Sequence, residues 1–76
     1  MQETRVEVIG TSGCGKCRIL KMWLESKEIP YKYRNISYDD KAVEFLRERN
    51  LKSLPQVTVD GELVEFKEYN DILEYL

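Results

Sequence analysis

Two side chains in this sequence stand out for the chemistry they could do. Cys14 and Cys17 are separated only by Gly15 and Lys16. A thiolate is a nucleophile and a soft-metal ligand, so a C-x-x-C pair points to redox exchange or to metal capture. A bridge between the two closes too short a loop to staple a fold. The chain contains no histidine, which excludes a Cys-His nucleophile pair and a mixed Cys/His zinc site. Two cysteines cannot complete a four-thiolate site within one chain. As the bland alternative, both are inert small core residues.

What the pair can do depends on the elements that hold it. Val6 and Val8 alternate with Arg5 and Glu7, which predicts a strand over Thr4 to Ile9. G-T-S-G at residues 10–13 is a turn. Ile19, Leu20, Trp23 and Leu24 then fall on one face of a helix running from Cys14 to about Glu28. Tyr31 to Ile36 reads as a second strand. Ser37, with Asp40 three residues on, reads as a capping box before a helix over about Tyr38 to Arg49. Gln56 to Val59 and Glu62 to Phe66 form a hairpin about Asp60-Gly61, and a short amphipathic helix closes the chain over about Tyr69 to Leu76. The order is βαβαββα in one domain, 1–76. The first two strands need a helical crossover and are parallel. The expectation is an α/β fold with a mixed four-stranded sheet and helices on both faces.

This arrangement places Cys14 at a helix N-terminus, where unpaired N–H groups and the helix dipole favour an anion. A thiolate is stabilised there, and Lys16 and Arg18 add positive charge nearby. Cys17 lies a turn further in and is expected to be the more buried of the two. Pro55, in S-L-P-Q-V, opens a strand, where it need not donate to the ladder. Trp23 reads as core, Tyr31 and Tyr33 as strand packing, and Glu7 as a strand carboxylate facing partial solvent.

With these residues in place, the chain resembles the glutaredoxins over nearly its whole length. The motifs are C-G-K-C at a helix start, L-P-Q-V followed by T-V-D-G-E, and the closing E-Y-N-D-I-L. The resemblance implies a thioredoxin-like fold and disulfide reduction, with Cys14 the nucleophile and Cys17 the resolving thiol. It implies a cis Leu54–Pro55 bond facing the cysteines, with the Leu54 backbone pairing to a bound peptide or glutathione. Thr11 occupies the position where many members have a basic residue for a glutathione carboxylate. Gly15 and Lys16 replace the usual Pro-Tyr between the cysteines, and Lys67 and Glu68 replace a common Gly-Gly pair. These departures favour protein disulfides over glutathionylated substrates. Lys16, Thr11, Leu54 and Pro55 are the expected substrate-binding residues. The chain is also similar to the small redoxins that reduce ribonucleotide reductase, so glutathione or a thioredoxin reductase is the expected electron source. No tightly bound cofactor and no metal are expected.

Composition narrows the alternatives. The net charge is −2 and no basic stripe is present, which argues against a nucleic-acid partner. No apolar run reaches the length of a membrane span, and the opening residues lack an apolar leader. A soluble, cytoplasmic, monomeric protein is therefore expected. At 76 residues the chain buries only roughly 60% of its unfolded surface, so its site must lie at the surface. Two other functions fit the same cysteines. One is a soft-metal (copper) chaperone, whose domains run βαββαβ and end on a strand. The other is a non-catalytic redox-sensing or interaction module on the same fold.

Overall fold

Alternating Val6 and Val8 build the strand on which the rest of the sheet is laid. The structure is a computed structural model and describes residues 4–76. The leader reading of residues 1–3 lies outside the described residues. Strand β1 (Val6–Gly10) pairs in parallel with β2 (Tyr31–Asn35). On its other side it pairs antiparallel with β3 (Gln56–Val59), which pairs in turn with β4 (Glu62–Val64). The strand order is β2-β1-β3-β4. Helices α1 (Gly15–Ser26), α2 (Asp40–Glu48) and α3 (Asn70–Leu73) complete the expected βαβαββα order.

The register explains the core. Val6 pairs with Tyr31 and Val59, Val8 with Tyr33 and Val57, and Val57 with Val64. Paired residues point to one face of a sheet. That face is buried against Leu20 and Leu24 of α1 and Ile72 of α3. Complete burial of each such side chain stabilises the fold by about 1.5–3 kcal/mol. Glu7, Ile9, Arg34 and Thr58 share the opposite face by the same alternation. There Arg34 donates to the carboxylate of Asp39, the N-cap of α2, at 2.9 Å, so α2 covers this side.

Several boundaries differ from the sequence expectation, each for a local reason. Helix α1 ends at Ser26 rather than near Glu28. Glu28 turns to φ 57°, and the N–H groups of Ile29 and Glu28 donate back to the carbonyls of Leu24 and Glu25. That is the paired bonding of a Schellman ending. Asn50, at φ 54°, ends α2 in the same way. Ser37 is not the cap of α2: its N–H is held by the Asn35 side-chain oxygen at 2.9 Å. Asp39 accepts from the Ala42 N–H at 3.0 Å instead, and α2 starts at Asp40. Strand β4 stops at Val64 and α3 is only one turn long. The hairpin is as expected, with Asp60 and Gly61 both at positive φ (54° and 84°), as a primed two-residue turn demands.

Candidate functional site

Strand β1 ends on Gly10, and the reason for glycine there is close approach. A Cβ at this position would collide with the Tyr33 hydroxyl and lie 2.8 Å from Cys17 Sγ. The bare backbone lets the start of α1 settle onto the strand end. Tyr33 then donates its hydroxyl to the Thr11 carbonyl at 3.0 Å and ties the turn to β2. Burial raises the Tyr33 pKa above its ordinary value, so the hydroxyl stays a neutral donor wherever thiols titrate.

Cys14 is the N-cap of α1, in extended conformation, with its Sγ accepting from the Cys17 N–H at 3.2 Å. Cys14 and Cys17 are joined as a disulfide, with Cα atoms 5.3 Å apart. The two differ in access: Cys17 is 1% exposed, whereas Cys14 is only half-buried and lines an open groove. The groove has a volume of about 490 Å³. Thr11, Ser12 and Gly13 wall it on one side, Arg18 and Lys21 rise from α1, and Tyr33 and Asn35 come from β2. The Asn35 side-chain amide donates to Ser12 Oγ at 3.0 Å, and Thr11 Oγ1 lies 3.5 Å from Ser37 Oγ.

The other expected site residues are placed as follows. Leu54–Pro55 is a cis bond and immediately precedes β3. The β1–β3 ladder ends on Ile9 opposite Gln56, so Pro55 lies at the same end of the sheet as the cysteine turn, on the flank away from β2. Leu54 is half-buried. Lys16 is exposed and stands outside the groove wall. Glu7 lies on the α2 face of the sheet, where Thr58 Oγ1 donates to it at 3.4 Å and Arg34 approaches to 3.9 Å, so it is turned away from the cysteines. Trp23, expected in the core, is half-buried and packs against its edge, with its ring centroid 5.5 Å from that of Tyr69.

Two features were not read from the sequence. The first is that Lys21 joins Arg18, already expected near Cys14, in one groove: the two stand four and seven residues after Cys14, the spacing of one helix face, and that spacing is the signal that would have grouped them. The second is Asp71. Its Oδ2 accepts from the backbone N–H groups of both Lys67 (3.0 Å) and Glu68 (3.1 Å). Those bonds, Glu68 first and Lys67 next, hold the Asp71 carboxyl below the usual carboxylate range.

Comparisons with known proteins agree with this geometry. Residues 6–64 match the family model described as Glutaredoxin. The curated relatives include global transcriptional regulator Spx 1 from Bacillus cereus, 34% identical over 73 residues and 93% of this chain. The same regulator from Bacillus anthracis matches equally. The chain spans a little over half, 56%, of that relative's length. Among solved structures, the thioredoxin-like protein BC3987 superposes with a TM-score of 0.76 at 26% identity, covering 95% of this chain and 100% of that one. A buckwheat glutaredoxin in complex with glutathione superposes with a TM-score of 0.69 at 15% identity, covering 92% of this chain and 66% of that one. At that identity the likeness is one of fold. The observed order ends on a helix, unlike the βαββαβ order of the chaperone alternative.

Proposed function

From the premise that this chain belongs to the glutaredoxin family, we propose that it is a thiol–disulfide oxidoreductase that reduces protein disulfides through Cys14 and Cys17. The observation that carries the reading is the asymmetry of the pair: an accessible N-cap sulfur joined to a buried one on the same helix.

The Cys17 N–H donates to Cys14 Sγ in the disulfide form, and in the reduced protein that donor and the positive end of α1 favour the Cys14 thiolate. It attacks one sulfur of the substrate disulfide. A Cys14–substrate bond forms, the substrate bond breaks, and the other substrate sulfur leaves as a thiolate. Cys17 then yields its proton to that departing thiolate and attacks Cys14 Sγ, expelling the second substrate sulfur. The second thiolate takes its proton from water. Two electrons pass to the substrate and the Cys14–Cys17 disulfide is left. Leu54 and Pro55 border the attack site on the β3 side, where the Leu54 backbone pairs with the substrate chain. Thr11 and Lys16 flank it on the turn and the helix.

Preference for proteins over glutathione is supported by Asp71. In the family pattern, backbone N–H groups at a glycine pair meet a glutathione carboxylate. Here the matching N–H groups of Lys67 and Glu68 already bond a carboxylate belonging to the chain itself. An incoming carboxylate must displace Asp71 and also approach the Glu68 side chain. Competition with a carboxylate already held by both donors weakens the binding of the incoming one. Oxidised protein is returned to the dithiol by glutathione or by a thioredoxin reductase. A reducing compartment such as the cytoplasm suits this cycle. An enzyme that needs a dithiol in each turnover, such as a ribonucleotide reductase, is a fitting target.

The test is to measure turnover of insulin disulfides beside turnover of a small glutathione mixed disulfide, with glutathione plus its reductase and then thioredoxin reductase as electron source. Faster turnover of the protein disulfide is expected. High activity on the glutathione substrate with almost none on insulin contradicts the preference. No turnover of either favours a second reading, a redox-sensing module, which the likeness to a transcriptional regulator supports.

A further inference from the structure

The groove on the β2 side of Cys14 carries a charge pattern that the exchange chemistry alone does not need. Residues 11–24 contain Lys16, Arg18 and Lys21 and no carboxylate, in a chain whose net charge is −2. Arg18 and Lys21 line the groove with Cys14, and no acidic side chain does. Among the described residues neither cation is held in a salt bridge. Lys21 Nζ instead rests 4.2 Å above the centre of the Tyr33 ring, which fixes the ammonium at the wall without neutralising it. Asn35 and Ser12 supply polar groups to the lining, already bonded to each other.

We propose that this groove docks acidic side chains of the protein substrate, and that Arg18 and Lys21 set which disulfides are attacked. The proposal rests on the reductase reading and deepens it. Pro55 lies at the same end of the sheet as Cys14 on the β3 side, and the groove opens on the β2 side, so a substrate chain that passes Pro55 and crosses Cys14 continues into the groove. At a rise of about 1.5 Å per residue, Arg18 and Lys21 stand roughly 6 and 10 Å along the helix from Cys14. An extended substrate covers about 3.3 Å per residue. Aspartate or glutamate two to three residues from the attacked cysteine, on the β2 side, enters the groove that Arg18 and Lys21 line together with Cys14. Attraction of this kind acts first on the encounter rate and weakens with salt.

The experiment uses the full chain, reduced with a dithiol and freed of it. Stopped-flow kinetics follow reduction of disulfide-linked peptides that carry Asp and Glu, or Asn and Gln, at the second and third positions from the cysteine. At low salt the acidic peptide is expected to react about tenfold or more faster than its amide twin, with the ratio shrinking as salt rises. The ratio should collapse in Arg18→Gln/Lys21→Gln. It should persist in Lys27→Gln/Lys41→Gln, which removes the same charge from exposed positions outside the groove. Equal rates for the two peptides overturn the docking proposal while leaving the reductase reading intact. Equal loss in the two double variants also overturns it, since net charge alone then explains the effect. A glutathione mixed disulfide that outpaces the acidic peptide, and that slows in Arg18→Gln/Lys21→Gln, assigns the groove to glutathione and overturns it too. Failure to reduce any of these substrates removes both readings.

Discussion

Replacing Gly10 by alanine tests whether the cysteine helix is seated by close approach to the end of β1. The added methyl meets the Tyr33 hydroxyl and stands 2.8 Å from Cys17 Sγ, and its third neighbour, Tyr33 Cζ, is 3.0 Å away. No positive φ is involved at Gly10, so the whole effect is steric. Overpacking a tight site costs about 1–3 kcal/mol. Moving the Tyr33 hydroxyl away from the Thr11 carbonyl costs about 1 kcal/mol more. The expected loss of about 2–4 kcal/mol is a large share of the stability of a small domain, and corresponds to about 10–30 °C in Tm. Urea denaturation of the oxidised protein measures it. Tyr33→Phe removes the colliding oxygen, so Gly10→Ala/Tyr33→Phe should lose less than the sum of the single changes, with a coupling of at least about 0.5 kcal/mol. Gly15→Ala serves as the control, because nothing lies within 4 Å of its added methyl. A Gly10→Ala protein within about 0.5 kcal/mol of the parent, or strict additivity with Tyr33→Phe, would refute the seating argument.

Three further outcomes follow from the geometry. The hydrogen bonds from Arg34 and from the Ala42 N–H hold the Asp39 carboxyl at about 2, against an ordinary 3.8; a lowered folded-state pKa means stability that is complete above pH 4 and lost as pH falls toward 2. Asp39→Asn keeps the cap but loses the charge, and after allowance for solvent it should cost about 1 kcal/mol at neutral pH, with the gap to the parent closing near pH 2 in acid-denaturation curves. Glu28→Gly should raise the urea midpoint by about 0.5 kcal/mol equivalent, since a left-handed residue at a helix end suits glycine; a fall in midpoint contradicts the assigned ending. In the reduced protein, alkylation at mildly acidic pH followed by peptide mapping should label Cys14 ahead of Cys17, because only Cys14 opens into the groove.

What could be read from the sequence was set by how local its cause is. The Val6 and Val8 alternation, the Asp60-Gly61 turn and the Leu20 and Leu24 stripe of α1 each depend on neighbours within a few residues, and each stands where expected, whereas Ile19, expected on the same helix face, is exposed because it lies at the edge of that stripe. The start of α2 did not stand where expected, because Ser37 and Asp39 are both good caps. The choice between them is made by Asn35, which takes the Ser37 N–H, and by Arg34, which braces Asp39 from the neighbouring strand. Pro30 signals that α1 must end, but with Glu28 and Asn50 in place of glycine at the left-handed positions the exact last residues of α1 and α2 carry no such mark. At the site, the cysteines were legible from their spacing and the strand before them. The groove was not, since Lys21 and Asn35 become neighbours only when β2 lies parallel to β1. The bonds from Lys67 and Glu68 to Asp71 were hidden for a related reason: an acidic residue three positions past a turn reads as a solvated charge until its oxygen is seen on two backbone donors.

The central claim is that Cys14 attacks and Cys17 resolves, and trapping measures it most directly. Reduced Cys17→Ser and Cys14→Ser proteins are each mixed with a protein disulfide substrate, quenched in acid and examined by intact mass and peptide mapping. The account predicts that Cys17→Ser accumulates a mixed disulfide at Cys14 and turns over no substrate, while Cys14→Ser forms no adduct on the same time scale. An adduct at Cys17 of the Cys14→Ser protein, formed as fast as the one at Cys14, contradicts it.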